Sequence, residues 1–510
     1  ISTPLLNQQK IESRHNALEE LQQHFLEHAQ IISTLKGIAD IERLISRVNF
    51  GNATPKDLIL LKQTLQILPA IRTLMSDFKS PLLQQITLTQ IHEEVEALLE
   101  NSIREDSPIN LREGGIIKPE FDPELRELWL IKTDSRQYLA ELERREKERT
   151  GINTLKVGYT RVFGYFIEVT RKNANLVPKD YERKQTTANS ERFVTADLKE
   201  AEAKILGAEE KIVELEYALF QRIVAQIARE TTHLQETAYK LSVLDTLCSL
   251  AYVARERRYV RPRFVEENKI EIIAGRHPVV EGLVDRFIAN DLVLAKAEMM
   301  IITGPNMAGK STIMRQVALI IVMAQMGSFV PATRVHMSIA DRIFSRVGAY
   351  DDLSSGQSTF LVEMNETASI LHNATDRSFI ILDEIGRGTS TFDGVSIAWS
   401  VAEYIYHQIR AKTLFATHYH VLNKMAEKLP RIKNYNVAVQ EVGCDIVFLH
   451  KLIKGGTDQS YGIHVAKLAG LPKVVLDRAR EIQSILEKDD EMVRRIKVKK
   501  LDDQRSIGEF

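Results

Sequence analysis

Cysteine is nearly missing: the 510 residues hold two, Cys248 and Cys444, far apart in the chain. That spacing argues for a reducing compartment and against a metal knuckle. Long apolar runs are missing too. No stretch approaches about 18–20 residues without polar interruption, so no membrane-spanning helix is expected. No charged-then-apolar leader opens the chain, which makes the cytosol the default location. Charge of one sign is not in excess. With a net charge of -1, any nucleic-acid contact must be local rather than global. The remaining composition, 27% charged and 44% hydrophobic, suits several globular domains with some long, solvated helices.

The stretch that organises the rest is Met299-Ile-Ile-Thr-Gly304-Pro-Asn-Met-Ala-Gly309-Lys310-Ser311-Thr312. An apolar run ending in Thr303 reads as a buried parallel strand, and Ile313 to Phe329 reads as a buried helix. Between them Gly304 to Ser311 fits G-x-x-x-x-G-K-[ST], in the strand–loop–helix context of a phosphate-binding loop. The glycines let backbone N–H groups close around phosphate oxygens, and the helix N-terminus adds a favourable partial charge. Lys310 is expected to reach the β- and γ-phosphates, and the Ser311 hydroxyl to ligate Mg²⁺. Further on, Phe379-Ile-Ile-Leu-Asp383-Glu384 is an apolar strand ending in two carboxylates, a Walker B pattern. Asp383 suits Mg²⁺ and Glu384 suits polarising an attacking water. Leu414-Phe-Ala-Thr417-His418 is another buried strand with a polar end, placing His418 at the nucleotide crevice. His418 and His420 form an H-x-H pair, but no further spaced ligands accompany it.

Between these strands lies Asp351-Asp-Leu-Ser-Ser-Gly356-Gln-Ser358-Thr-Phe360-Leu-Val-Glu363-Met364. Ser358 or Thr359 suits the N-cap of the next helix, a start that favours an anion. In ABC-type ATPases a serine at such a position completes the partner's site; an ordinary cap is the alternative. Gly386-Arg-Gly-Thr-Ser-Thr-Phe-Asp-Gly394 is a loop too glycine-rich and polar to be core.

Upstream, residues 1 to about 124 read as mostly helical, with Thr54 an N-cap and Pro55 the first residue of its helix. The helix predicted over 123–149 loses its apolar face as it proceeds and so leaves the main body. From 152 to about 192 the pattern turns β-rich, with Arg161-Val-Phe-Gly164 a hairpin connection. That module carries eight basic residues (Lys156, Arg161, Arg171, Lys172, Lys179, Arg183, Lys184 and Arg192) against four acidic ones. Its residue content fits DNA-backbone contacts and equally a solvated, slightly basic face. A helical tract from about 192 to 258 follows. Leu198, Ile205, Ile212, Leu219 and Gln226 lie seven apart, with Leu215 and Ile223 on a second track, in coiled-coil-like patterning. The two tracts read as an antiparallel arm with a basic tip.

Together the motifs resemble the MutS family of DNA mismatch-repair ATPases. The resemblance covers nearly the whole chain, most specifically Thr303–Thr312, Asp351–Met364, Leu382–Thr391, Phe415–His418 and Ser460–Pro472. It implies a multidomain chain. An α-helical core (1–124) would be followed by an outgoing lever helix (125–151), a β-rich DNA clamp (152–192) and returning lever helices (193–262). An α/β P-loop ATPase domain of ABC type (263–454), a helix-turn-helix dimerisation segment (455–487) and a charged tail (488–510) complete it. The resemblance turns Lys156, Arg161, Arg171, Lys172, Lys179, Arg183 and Lys184 into expected DNA contacts. It makes Gly304, Pro305, Asn306, Met307, Ala308, Gly309, Lys310, Ser311 and Thr312 the expected ATP/ADP cradle. By motif match, Phe287 stacks on adenine with His450 beside it, and Ser358 acts in trans. Glu384, His418 and Lys310 are the expected catalytic set, and Ser311 with Asp383 the expected Mg²⁺ ligands. Implied partners are double-stranded DNA, a second copy of the chain and a downstream ATPase of the MutL type, in a bacterial cytoplasm with no membrane association. Family members that read mismatches carry an N-terminal Phe-x-Glu wedge, which is not found here. A truncated chain is the favoured reading of that departure. The alternatives are a paralogue acting on other DNA structures and a dimerisation scaffold with little turnover.

Overall fold

The computed structural model describes residues 3–87, 90–160, 162–347, 359–442, 445–457 and 461–489. The chain divides into two compact units. One comprises Leu26–Lys79 and Leu83–Asp245; the other comprises Ile1–Phe25, Ser80–Leu82 and Thr246–Phe510. Among the described residues no helix is long and apolar enough to cross a membrane.

The first unit is helical with one small sheet. Its Pro55–Leu74 helix starts as its sequence requires: Thr54 caps the Asp57 N–H and Asp57 returns the bond to the Thr54 N–H, with Pro55 in the first turn. The Pro123–Thr150 helix is capped by Asp122 and stopped by Gly151 in left-handed conformation (φ 68°). It pairs with the Ala196–Arg229 helix. Ion pairs Arg145–Asp197 (2.6 Å) and Lys132–Glu209 (3.0 Å) join late residues of one to early residues of the other and then the reverse, so the pair is antiparallel. Between them four antiparallel strands, β1 (Lys156–Thr160), β2 (Gly164–Thr170), β3 (Glu182–Thr186) and β4 (Ser190–Val194), form a sheet in the order β1-β2-β4-β3. Ile167, Val169 and Phe193 turn inward onto Leu139, Leu142, Leu198 and Ile205 of the helices.

The seven-residue track holds only partway. Leu198, Ile205, Ile212 and Leu219 are buried, but Gln226 is exposed and Leu215 only half-buried; Glu216 and Ile227 take the inward positions instead. A straight helix advances 3.6 residues per turn, so a strict seven-residue stripe drifts off its face. The tract is an amphipathic packing helix that leaves the heptad register after Leu219.

The second unit is layered. β8 (Met299–Thr303), β11 (Phe379–Asp383), β12 (Lys412–Ala416), β10 (Ile343–Val347) and β13 (Ile432–Val442) run parallel, and β14 (Asp445–Lys454) pairs antiparallel to β13, in the order β10-β11-β12-β8-β13-β14. Alternation decides its faces. Met300, Ile302, Phe379, Ile381, Leu414 and Ala416 pack against the Lys310–Met326 helix, whereas Met299, Ile301, Ile380, Leu382 and Phe415 pack against the Thr391–Tyr404 helix. A second sheet of β5 (Arg263–Phe264), β9 (Arg334–Met337), β6 (Ile270–Gly275) and β7 (Asn290–Leu294) packs through Ile270, Ile272, Leu292 and Val335 into the same core as the Lys310–Met326 helix. A short helix, Gly462–Leu468, and a longer one, Lys473–Asp489, end the described chain.

Candidate functional site

Register brings three strand ends level. Asp383 pairs with Ala416, and Ala416 pairs with Ile302, so the residues after each strand emerge side by side at the carboxyl edge of the sheet. Two bonds lock them: Glu384 N–H donates to the Ala416 carbonyl (2.9 Å) and Thr417 N–H to the Ile302 carbonyl (3.1 Å).

The loop after β8 has the backbone its glycines allow. Gly304 (φ 133°) and Gly309 (φ 103°) take conformations that disfavour a side chain, and Gly309 sits at the N-cap of the Lys310–Met326 helix. Lys310 is 4% exposed, and its ammonium donates to the carbonyls of Gly304 (2.8 Å) and Pro305 (3.1 Å). Burial pushes its pKa below the usual lysine value. Ala308 is buried, and its carbonyl accepts from His450 Nδ1 (2.9 Å), which fixes the proton on that nitrogen. Met307, in left-handed conformation, points outward, and Asn306 is exposed.

Glu384 faces two cations and an imidazole. His418 Nε2 lies 2.8 Å from Glu384 Oε1 and 2.8 Å from Asn306 Oδ1. A carboxylate only accepts, so the shorter bond to Glu384 needs the proton on Nε2; the Lys310 ammonium lies further from the same nitrogen, at 3.3 Å. Arg387 Nη1 lies 2.6 Å from Glu384 Oε2, and Lys310 Nζ lies 3.9 Å from Oε1. Burial raises the Glu384 pKa, but the bond from His418 and the charges of Arg387 and Lys310 outweigh it, leaving the carboxyl below its ordinary value. Asp383, beside it, goes the other way: burial and the neighbouring Glu384 charge raise it, against a hydrogen bond from Ser311. Asp383 Oδ1 is buried with no hydrogen-bond partner. A carboxylate oxygen left open beside a hydroxyl is a donor set suited to Mg²⁺, which takes few protein oxygens and completes its shell with water and phosphate.

A cavity of about 210 Å³ opens beside the loop, lined by Gly304, Pro305, Asn306, Arg387, His418 and Tyr461 among others. On the far side of the loop Asn290 joins the two sheets of this unit: its amide donates to the His450 carbonyl (2.9 Å) and accepts from the Leu452 N–H (2.7 Å). Phe287 lies three residues before it, half-buried in the segment entering β7. The H-x-H pair does not converge. His420 Nδ1 donates to the Thr457 carbonyl (2.7 Å), and no cluster of three or more potential metal-ligating side chains occurs among the described residues.

The structure therefore gathers Gly304 to Thr312, Asp383, Glu384, His418 and His450 around one loop, while Ser358 lies outside the described residues. Arg387 and Asn290 join the set without having been singled out. Arg387 stands in the polar loop whose composition alone excluded it from the core. Asn290 ends the stretch Phe287-Ile-Ala-Asn290.

In the small β-sheet, Lys156, Arg171, Lys172, Lys179, Arg183 and Lys184 are all exposed. Arg161 lies outside the described residues. Arg183 pairs with Glu191 (3.2 Å), whereas Lys156, Arg171, Lys172, Lys179 and Lys184 form no ion pair among the described residues. Arg192, counted among the basic residues of this module, is spent internally: its guanidinium stacks over Phe166 (4.2 Å) and donates to Gln185 (2.9 Å). Tyr159, Val162 and Phe163 are exposed around the β1–β2 connection.

A parallel α/β domain whose central strand runs through a glycine-bounded loop into a helix, with a strand-end acid pair alongside, is the class that fold and site define. Comparison with known proteins narrows it. The profile of MutS domain III matches residues 1–251, and that of MutS domain V matches residues 300–487. The chain belongs to the MutS family. It is 50% identical over 512 residues to the DNA mismatch repair protein MutS of Caldicellulosiruptor bescii, covering 98% of this chain and 59% of that protein. To the MutS of Lachnoclostridium phytofermentans it is 52% identical over 502 residues, covering 96% of this chain and 53% of the relative. The chain thus spans little more than half the length of the curated relatives it matches.

Proposed function

We propose that this chain binds and hydrolyses ATP, and that the ATPase controls a DNA clamp in mismatch repair. One observation carries the reading: Lys310, Asp383, Glu384 and His418 converge from three adjacent strand ends on the Gly304–Ser311 loop. Backbone N–H groups of the loop would hold the phosphates, and Lys310 would exchange its bonds to the Gly304 and Pro305 carbonyls for phosphate oxygens. Ser311 and Asp383 would hold Mg²⁺, which supplies charge neutralisation to the phosphates when bound. Glu384, oriented by His418, would take a proton from water as its oxygen bonds the γ-phosphorus and the bond to the bridging oxygen of ADP breaks. His450 and Phe287 would flank the adenine. Ser358 of a second copy would complete the site, and the two terminal helices would hold that copy. The exposed cations Lys156, Arg171, Lys172, Lys179, Arg183 and Lys184, with Arg161, would contact the DNA backbone.

Glu384→Ala tests the chemistry. Turnover is expected to fall by about 100-fold or more, within the range general-base removal spans, while binding of a fluorescent ATP analogue stays near its original strength. Unchanged turnover would remove Glu384 from the water-activating role, whereas a parent with no turnover would favour a scaffold.

A further inference from the structure

The loop that follows Glu384 is held more firmly than an exposed glycine-rich turn requires. Gly386 has φ 90°, and a Cβ there would lie 2.6 Å from the Gly394 carbonyl oxygen. Both of its backbone polar groups are taken by side chains from other elements. Its N–H donates to Glu363 Oε1 (2.5 Å), and its carbonyl accepts from the Tyr419 hydroxyl (2.8 Å). Glu363 belongs to the Thr359–Asn373 helix and is 5% exposed; Tyr419 follows His418 at the end of β12. The second oxygen of Glu363 faces Arg346 of β10 (3.4 Å), itself buried. Phe360, one turn before Glu363, closes on Gly388, where a Cβ would lie 2.8 Å from the Phe360 Cβ.

Stability alone does not account for this arrangement. Two buried charges lose hydration that their attraction seldom repays in full, and apolar residues of the same volume pack at least as well. What the polar version adds is geometry. Fixing the two peptide groups that flank the Gly386 Cα sets the backbone between Glu384, two residues before, and Arg387, one residue after. Those two side chains then face each other at 2.6 Å.

We infer that Glu363 and Tyr419 are positioning residues for Glu384, acting through Gly386, and that Glu363 couples the start of its helix to the water-activating carboxylate. The inference rests on the ATPase reading above. It deepens that reading by adding two positioning residues to the same site.

The test uses the full chain with three variants. Tyr419→Phe removes one hold on Gly386 and nothing else. The double variant Arg346→Met with Glu363→Met removes the other hold without leaving a buried charge unpaired. Glu384→Ala is run in parallel. Steady-state kcat and KM for Mg-ATP are measured, together with binding of a non-hydrolysable analogue and the thermal midpoint. A misplaced reacting group costs up to about 100-fold, so kcat is expected to fall about 10- to 100-fold in the double variant and about 5-fold in Y419F, with KM and analogue affinity within about 3-fold of the parent. Parental kcat in both variants, or a loss confined to KM, would overturn the inference. If the double variant does not fold, Y419F decides alone. If the parent turns over no Mg-ATP, the ATPase reading has failed; if Glu384→Ala turns over like an active parent, there is no water-activating carboxylate to position and the present inference falls; if Glu384→Ala is inactive while the other two behave like the parent, only the present inference has failed.

Discussion

His15 shows how far one residue can stand from the chemistry and still govern the unit that contains it. It is fully buried, its ring stacked against Phe264 (centroids 6.1 Å) and edge-on to Phe329, on the helix whose Arg14 donates to the last-turn carbonyl of Met326 (2.6 Å). Burial, reinforced by the charge of Arg261, lowers its pKa from 6.5 to about 4. The sign follows from linkage: below 6.5 the unfolded chain takes up a proton that the folded chain refuses, so stability is lost as pH falls and levels off below about 4. Between pH 7.5 and 5 the loss is expected to be about 2 kcal/mol, read as a shift in urea midpoint. His15→Phe should abolish that component; a variant keeping the full pH dependence would assign it elsewhere. The Gly304–Ser311 loop and the strand-end acids were legible because each is a contiguous motif. His15 was not legible, because a lone histidine on an apolar helix face carries no sign of which rings will enclose it.

Elements were legible where local chemistry decides them. Thr54, Asp57 and Pro55 start their helix by themselves, and Gly151 ends another. Tertiary placement decides the rest. The stripe of the Ala196–Arg229 helix was expected to continue through Leu215, but Glu216 is the buried residue, fully enclosed and accepting the Ile116 N–H (3.1 Å) beside Gly114 and Gly115 (φ 72° and 76°). No periodicity argument puts a carboxylate inside; a loop from a hundred residues earlier does. Burial raises its pKa despite the backbone donors, so the charge itself is a burden above the ordinary carboxylate range. Glu216→Gln, which keeps an acceptor and drops the charge, is therefore expected to match or exceed the parent's thermal midpoint at pH 7. Glu216→Ala leaves the Ile116 N–H unpaired and should cost about 1–3 kcal/mol. Equal losses in both variants would contradict that assignment. The clamp around Gly386 has the same origin: Glu363 and Tyr419 were visible as letters, and only folding made them neighbours.

For the molecule as a whole, the two proposed activities sit in different units and can be separated. Removing one phosphate contact lowers affinity for every DNA sequence alike and reduces the slope of log K against log salt by about 1. Lys172→Ala with Lys184→Ala should therefore weaken duplex binding and flatten that slope by about 2, with ATP turnover measured without DNA unchanged. A slope equal to the parent's would exclude both lysines from the contact. Within the unit that holds the Gly304–Ser311 loop, the Asn290 side chain has a further consequence. The Leu452 amide hydrogen points at a side chain of the neighbouring sheet instead of a strand of its own. Its exchange with solvent deuterium is therefore gated by one bond between the two sheets. Followed peptide by peptide in a mass spectrometer, that single amide times how often the sheets part, and it does so without any label near the Gly304–Ser311 loop.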